Sequence, residues 1–278
     1  MEQINYGVLL GKRDSDYTEG LIGGIIYEER LPSADWKPYL PTGEKQKDPL
    51  ETMACVSFSA LNVIETQIKF LTGQEPNYSD RFLAKMSNTT PQGNYQYLVA
   101  DSIRKNGLVN QSDWPTPSTF VWNEYYAIIP QEIQDKGKKW LDYFDIQYEW
   151  LPSVEKSYLI EQLKHAPIQI VINNGTHAVE LYNIADVYKY FDSYEPYFKQ
   201  TNEVRFPLKI ILTPKNLMKL VIVGKEQYLV DKEGKGWHIY NASTLQNLYA
   251  AGIISTLTPE PVTSVNDTGK ELVILTQE

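Results

Sequence analysis

The chain carries a single cysteine, Cys55, among 278 residues. One thiol excludes any internal disulfide, so the fold must stand on its apolar core and needs no oxidising compartment. Histidine is nearly as scarce. There are three, none at zinc-ligand spacing, and no glycine-rich loop follows a predicted strand, so neither a metal nor a nucleotide cofactor is implied. Basic residues number 26 against 35 acidic ones, a formal net charge of −9, which offers no bulk attraction to nucleic acid or to an anionic membrane. No apolar run reaches the roughly 18 residues of a membrane helix, and Met1–Gly7 shows no basic segment ahead of a long apolar one. With no signal peptide or transmembrane segment in view, the expected location is the cytoplasm or a virus particle.

Aromatic side chains are abundant, with 20 tyrosines and 6 tryptophans. They point first to core packing and second to an aromatic-lined groove. The length suits one large domain plus a small one. Residues 1–30, with apolar runs Gly7–Leu10 and Leu21–Tyr27 around a charged turn, read as an ordered N-terminal extension, and the proline- and glycine-rich stretch after them as loop. Helical spacing follows. Val56, Ser59, Ala60, Val63, Ile64, Ile68 and Leu71 recur at three- and four-residue steps, with Asn62, Glu65 and Lys69 on the wet side and a stop at Thr72-Gly73. Shorter helices are expected over Arg81–Met86, Tyr95–Lys105, Gln131–Leu141 and Ser153–Lys164; the rest of 120–150 shows no readable period.

From Pro167 the pattern changes. Pro167–Ile172, His177–Tyr182, Val187–Phe191 and Val204–Leu212 read as strands separated by turns. Helices first and antiparallel strands second is α+β order, not alternating βαβ. Pro214 marks a boundary, after which Leu220–Val223, Gln227–Asp231 and Trp237–Tyr240 flank turns, Asn241–Gly252 forms a short helix and Glu271–Leu275 is a last apolar run. The expected division is an extension over 1–30, a main domain over 31–214 and a small hairpin-plus-helix module over 215–278.

A lone cysteine on an apolar helix face is by default a small buried hydrophobe. Cys55, however, falls in the first turn of its helix, where unpaired N–H groups and the positive dipole end favour an anion and lower a thiol pKa. Attack by cysteine on a carbonyl further needs a base, a group to orient that base, and N–H donors for the oxyanion. His177 opens a strand after the turn Asn173–Thr176. Asp192 ends the next strand, which an antiparallel pairing brings beside His177; the two follow Cys55 by 122 and 137 residues. His165, at a helix end, reads as a dipole partner, and His238 as structural.

In this order the residues resemble the papain-like cysteine peptidases over most of 31–212. Leu31-Pro-Ser-Ala-Asp-Trp36 is similar to the start of the family's mature domain, and Cys55-Val-Ser-Phe-Ser-Ala60 to its Cys-Trp-Ala-Phe-Ser-Ala. Gln92-Gly-Asn-Tyr95 with Asn106-Gly-Leu-Val109 and Trp114-Pro115 resembles the substrate-facing wall, His177-Ala-Val the catalytic histidine segment, and Tyr190-Phe-Asp192-Ser-Tyr194 the family's Asn-Ser-Trp. The departures are equally specific. Aspartate stands for asparagine at Asp192, Val56 replaces the aromatic after the nucleophile, and only the first of two rail glycines is kept, as Gly93-Asn94. The family's oxyanion glutamine lies six residues before the cysteine, but position 49 is proline; Gln46, nine residues ahead, fits only with a three-residue insertion within Lys47–Thr52.

The resemblance implies a papain-like α+β fold with an N-terminal helical and a C-terminal antiparallel β subdomain, followed by the small module. It implies a cysteine peptidase with Cys55 as nucleophile, His177 as base and acid, Asp192 orienting it, Gln46 as oxyanion donor, and Gly93 and Asn94 pairing with a protein or peptide substrate. Starting near residue 31 and lacking the secreted members' disulfides, the domain is similar to prokaryotic and phage-encoded relatives that are made without zymogen control. The module is expected to dock a protein partner or a substrate. Two other readings keep the same constellation: a papain-like structural or interaction protein, such as one of a phage particle, that has lost catalytic competence, and an amidase or transpeptidase acting on cell-wall peptide.

Overall fold

A computed structural model describes residues 6–12, 28–215, 218–231, 235–239, 260–261, 264 and 266–271. The chain divides into two compact units, Met1–Lys69 with Glu75–Thr213, and Phe70–Gln74 with Pro214–Glu278. In the first unit helices precede an antiparallel sheet, as the change of period predicts.

Helix α1 (Cys55–Thr72) is the centre of that unit. From Cys55 to Ile68 every residue except Asn62 is buried, so this is a core helix and not a surface helix with one wet stripe. Glu65 corrects the sequence reading. Expected on the wet side, it is buried, and its Oε1 accepts the Tyr78 N–H at 2.7 Å, the partner that a buried carboxyl requires. Around α1 lie α2 (Asp80–Met86), capped by the Ser79 hydroxyl on the Phe82 N–H, and α3 (Gln96–Asn106), which stops at Gly107. Then come α4 (Trp122–Tyr125), α5 (Gln131–Trp140) and α6 (Lys156–Leu163). Ser153 does not cap α6: its hydroxyl accepts the Glu155 N–H, and the helix begins one residue later.

Two short strands, β1 (Val8–Leu9) and β2 (Asn94–Tyr95), pair in parallel, Val8 with Asn94 and Leu9 with Tyr95. The main sheet comprises β3 (Phe144–Trp150), β4 (Ile168–Ile172), β5 (His177–Ile184), β6 (Tyr188–Phe191), β7 (Phe198–Thr201) and β8 (Arg205–Pro214), in the order β3-β8-β4-β5-β6-β7. Strand β3 lies in the segment that showed no period. It puts Ile146, Tyr148 and Trp150 into the core but also buries Glu149, paired with Lys209 of β8 at 2.6 Å, and that inward charge breaks the apolar alternation.

Helix and sheet are fastened by buried amides. Gln169 of β4 donates through Nε2 to the Val56 carbonyl (2.9 Å) and the Ser59 hydroxyl (2.7 Å) at the start of α1. Two turns later, Gln67 donates to the Ile210 carbonyl at 2.9 Å and accepts the Leu212 N–H at 3.1 Å.

The second unit is a five-stranded sheet of β9 (Met218–Val223), β10 (Glu226–Asp231), β11 (Lys235–His238), β12 (Glu260–Pro261) and β13 (Asn266–Glu271), in the order β12-β9-β10-β11-β13. The hairpin expected around Gly224 is β9–β10, with Val223 opposite Glu226. The runs Leu21–Tyr27 and Leu272–Leu275 and the helix expected over Asn241–Gly252 lie outside the described residues. No helix among the described residues is long and apolar enough to cross a membrane.

Glu180 of β5 is fully buried; burial pushes it up to about 8, against an ordinary 4.5, and the Thr66 hydroxyl offsets only part of that. The folded chain keeps that proton where the unfolded chain has released it. Stability should therefore fall as pH rises from about 4.5 to about 8, by at most ~1.4 kcal/mol per pH unit from this group. Urea unfolding at pH 5 and pH 8 should show Glu180→Gln gaining on the parent at the higher pH; a difference independent of pH would contradict the assignment.

Candidate active site

Three elements meet at the start of α1. Cys55 is its first residue, preceded by Ala54, whose carbonyl accepts the first intrahelical bonds from Ser57 and Phe58. The Cys55 N–H is thus one of those a helix leaves without an intrahelical acceptor. Sγ accepts the Ala178 N–H of β5 at 3.5 Å, which sets the sulfur against the residue that follows His177. His177 Nε2 lies 2.7 Å from Asp192 Oδ1, at the end of β6. The antiparallel pairing of β5 with β6 makes this contact, as expected from the chain order.

The cluster is dry: Cys55, His177 and Asp192 are all at most 3% exposed. Burial alone would raise the Asp192 carboxyl, but the hydrogen bonds and charges of His177 and Lys199 outweigh it and hold the group below its ordinary value. Ionised Asp192 accepts only, so Nε2 carries the proton and Nδ1 presents a lone pair. Nδ1 is buried with no hydrogen-bond partner. That leaves the imidazole equipped as a base on the side not held by Asp192.

For the thiol the electrostatics differ from the sequence expectation. Burial pushes Cys55 up, and the Glu51 and Asp192 charges add to it, while the Ala178 and Val56 N–H groups offset only part. The helix start does not by itself make a thiolate here, because removal from water costs an isolated anion more than the first turn returns. An anion at Sγ would need a cation formed beside it.

Gln46 is also in the cluster. Lys47 and Glu51 bridge antiparallel, so the longer loop ahead of Cys55 closes on itself and returns Gln46 to the site. Its Nε2 donates to the Tyr6 carbonyl at 2.8 Å and to Glu51 Oε1 at 2.6 Å, and its Oε1 accepts the Ser193 hydroxyl at 3.1 Å. Both amide protons are engaged. Glu51 also accepts the Met53 N–H at 3.1 Å, which steadies a left-handed Met53 (φ +56), and it takes a short hydrogen bond from the Tyr194 hydroxyl. The Asn94 side chain is buried against Ser87 and Thr89, while its N–H donates to the Gly7 carbonyl at 2.9 Å.

Sequence reasoning missed Glu51, Lys199 and Tyr6. Lys199 and Tyr6 carry no local signal, since their partners lie seven or more residues away along the sequence, and the contacts of Glu51 with Gln46 and Met53 depend on the fold of the loop ahead of Cys55. Among the described residues no group of three or more His, Cys, Asp or Glu is placed to hold a metal ion.

No family model matches this chain, and no curated protein matches it in sequence. Solved structures do match. Xylellain, a cysteine protease from Xylella fastidiosa, is similar with a TM-score of 0.55 at 13% identity, over 75% of this chain and 96% of that one. Digestive procathepsin L 3 of the Tenebrio molitor larval midgut gives 0.51 at 14% identity, over 70% and 73%, and recombinant stem bromelain precursor 0.50 at 13%, over 76% and 75%. The fold is papain-like. At such identities the likeness carries the fold alone, and the papain-like frame says nothing yet of which side chains react.

Lys199 Nζ sits 2.8 Å from Asp192 Oδ2, so the carboxylate has a cation on each side once His177 is protonated. Because Asp192 is held low, its contribution to stability is present above the ordinary carboxylate value and is lost as pH falls through the folded one. Lys199→Met should raise the Asp192 midpoint and cost roughly 1 kcal/mol at pH 6, with parent and variant converging as pH falls below the folded Asp192 value. Urea midpoints across that range check this, and curves that stay parallel would contradict it.

Proposed function

We propose that this chain is a cysteine peptidase that hydrolyses peptide bonds through an acyl thioester on Cys55. The observation that carries the reading is the imidazole of His177: tied at Nε2 to an ionised Asp192, bare and buried at Nδ1, and one residue from the N–H that touches the Cys55 sulfur. In this reading the Cys55 proton passes to Nδ1 as sulfur attacks the substrate carbonyl carbon, so the thiolate exists only as part of an ion pair. The carbonyl oxygen becomes an oxyanion served by the Cys55 N–H and by Gln46 Nε2. Collapse breaks the C–N bond, and imidazolium gives its proton to the leaving amine. Water then attacks the thioester, losing its proton to Nδ1, and the acid leaves with Cys55 restored.

Asp192 fits this work although the family uses asparagine. It fixes the tautomer and favours imidazolium, while Lys199 prevents a bare carboxylate from holding the proton too tightly. The second unit serves as the docking element for the protein substrate or a partner.

A second reading, a papain-like interaction protein without turnover, is favoured by one observation: Gln46 has no free donor and the thiol is pushed up. Kinetics on peptide libraries separate the two. The peptidase reading expects Cys55→Ser and His177→Ala to lower kcat/KM by about 10³-fold or more, and Asp192→Asn by roughly tenfold or less, since an amide still accepts from Nε2. A parent chain that cuts no peptide, or a Cys55→Ser variant at the parental rate, would sink it.

A further inference from the structure

Asp80, the first residue of α2, is 5% exposed, and its side-chain partner is a second carboxyl. Asp80 and Glu44 share a hydrogen bond, and burial together with the Glu44 charge holds the Asp80 proton well above the ordinary carboxylate value. Glu65, also buried, adds to the repulsion. The cations that flank the pair in sequence are engaged elsewhere. Arg81 donates to the carbonyls of Tyr125 (2.7 Å), Pro115 (3.0 Å) and Glu124, and Lys45 faces Glu195 at 3.6 Å. Glu44 is fixed from one side only, its Oε1 accepting Asn77 Nδ2 at 2.9 Å.

The pair borders a cavity of about 410 Å³, within the range of small-ligand sites. Besides the two carboxyls its walls carry the rings of Phe120, Tyr125 and Tyr197. Two oxygens of lining residues are buried outside any hydrogen bond of ordinary geometry: Gln111 Oε1, and the hydroxyl of Tyr125, a residue 2% exposed that has the Thr52 hydroxyl beside it. Buried polar atoms of this kind call for a partner. Gln46 and Thr52 line the same space, so it adjoins the loop that leads to Cys55. Carboxyls, an unpaired amide oxygen and aromatic faces together suit a planar cation that carries several N–H donors. A bare metal ion is a poorer match, since among the described residues no group of three or more His, Cys, Asp or Glu is placed to hold one.

We infer that this cavity is a guanidinium pocket that holds an arginine side chain of a polypeptide, with Glu44 and Asp80 receiving the guanidinium fork and the Phe120, Tyr125 and Tyr197 rings flanking it. The entering cation takes the place of the proton that the two carboxyls share. That proton leaves to solvent, and two carboxylates then face one delocalised charge, so binding and proton release are linked. Arginine is favoured over lysine because two acceptor groups and flat walls match a fork better than a point charge. The binding stands on the cavity and its lining; its use, to seat an arginine of the protein substrate beside the loop that leads to Cys55, rests on the peptidase reading.

The experiment is calorimetric titration of the full, natively folded chain with acetyl-arginine-amide near neutral pH, in buffers of different ionisation heat, with acetyl-citrulline-amide as the neutral isostere. The arginine compound should bind with a Kd of about 1 mM or below and release about one proton per site. The citrulline compound should bind about tenfold more weakly, and Asp80→Asn and Glu44→Gln should each lower the arginine affinity about tenfold. Asp80→Asn should also abolish the proton release. Circular dichroism and urea midpoints check folding, and Glu44→Gln, at a half-buried loop position, carries the test if Asp80→Asn does not fold. No arginine binding at roughly 50 mM, equal affinity for the two compounds, or parental affinity in the folded variants would overturn the pocket. A chain that binds the arginine compound but cuts no peptide sinks the peptidase reading alone, and one that cuts peptides but binds no arginine sinks the pocket alone.

Discussion

The constraint on which the rest depends is the burial of a helix start against a strand start. The first turn of α1 is pinned to β4 by Gln169 and to β5 by the Ala178 N–H on Cys55 Sγ. A helix N-terminus in water would stabilise a thiolate; the same terminus in a dry junction does not, because desolvation of the anion exceeds what a few N–H dipoles return. Packing fixes β5, and with it His177, relative to α1.

Charge is matched around this junction in a way that tolerates the aspartate. Asp192 lies between His177 and Lys199, and each side chain occupies one of its oxygens. The carboxylate orients the imidazole as an asparagine amide would, and the lysine supplies the balance of charge that an amide does not need. Glu51 plays a comparable part ahead of the nucleophile. It gathers Gln46, Met53 and Tyr194 around one carboxylate. Burial, with Glu51 beside it, also pushes the Tyr194 hydroxyl up and keeps it a donor.

Much of this was legible in the sequence because it is local. The helical spacing of α1 and α3 and the apolar runs of β4 and β5 are local signals, and Ser79 and Asn106-Gly107 mark helix ends by chemistry that acts within three or four residues. Cys55, His177 and Asp192 follow from chain order and the family resemblance. What stayed hidden is polar and long-range. Glu65 reads as a surface residue but meets the Tyr78 N–H inside the core, and Glu149, in a segment with no readable period, meets Lys209 there. Lys199 lies in a strand with no sequence signal, β7, which pairs with β6 and brings it to Asp192. Tyr6 looks like part of an extension, and only the fold shows its ring on His177.

The proposed reaction turns on one event, acyl transfer to Cys55 driven by His177. An isotopically labelled peptide thioester, mixed with the full chain, acid-quenched and mapped by mass spectrometry, reads that event without requiring turnover. The prediction is a labelled acyl group on Cys55, and none when His177 is replaced by alanine. Absence of acyl label on Cys55, or equal labelling with and without His177, would contradict it.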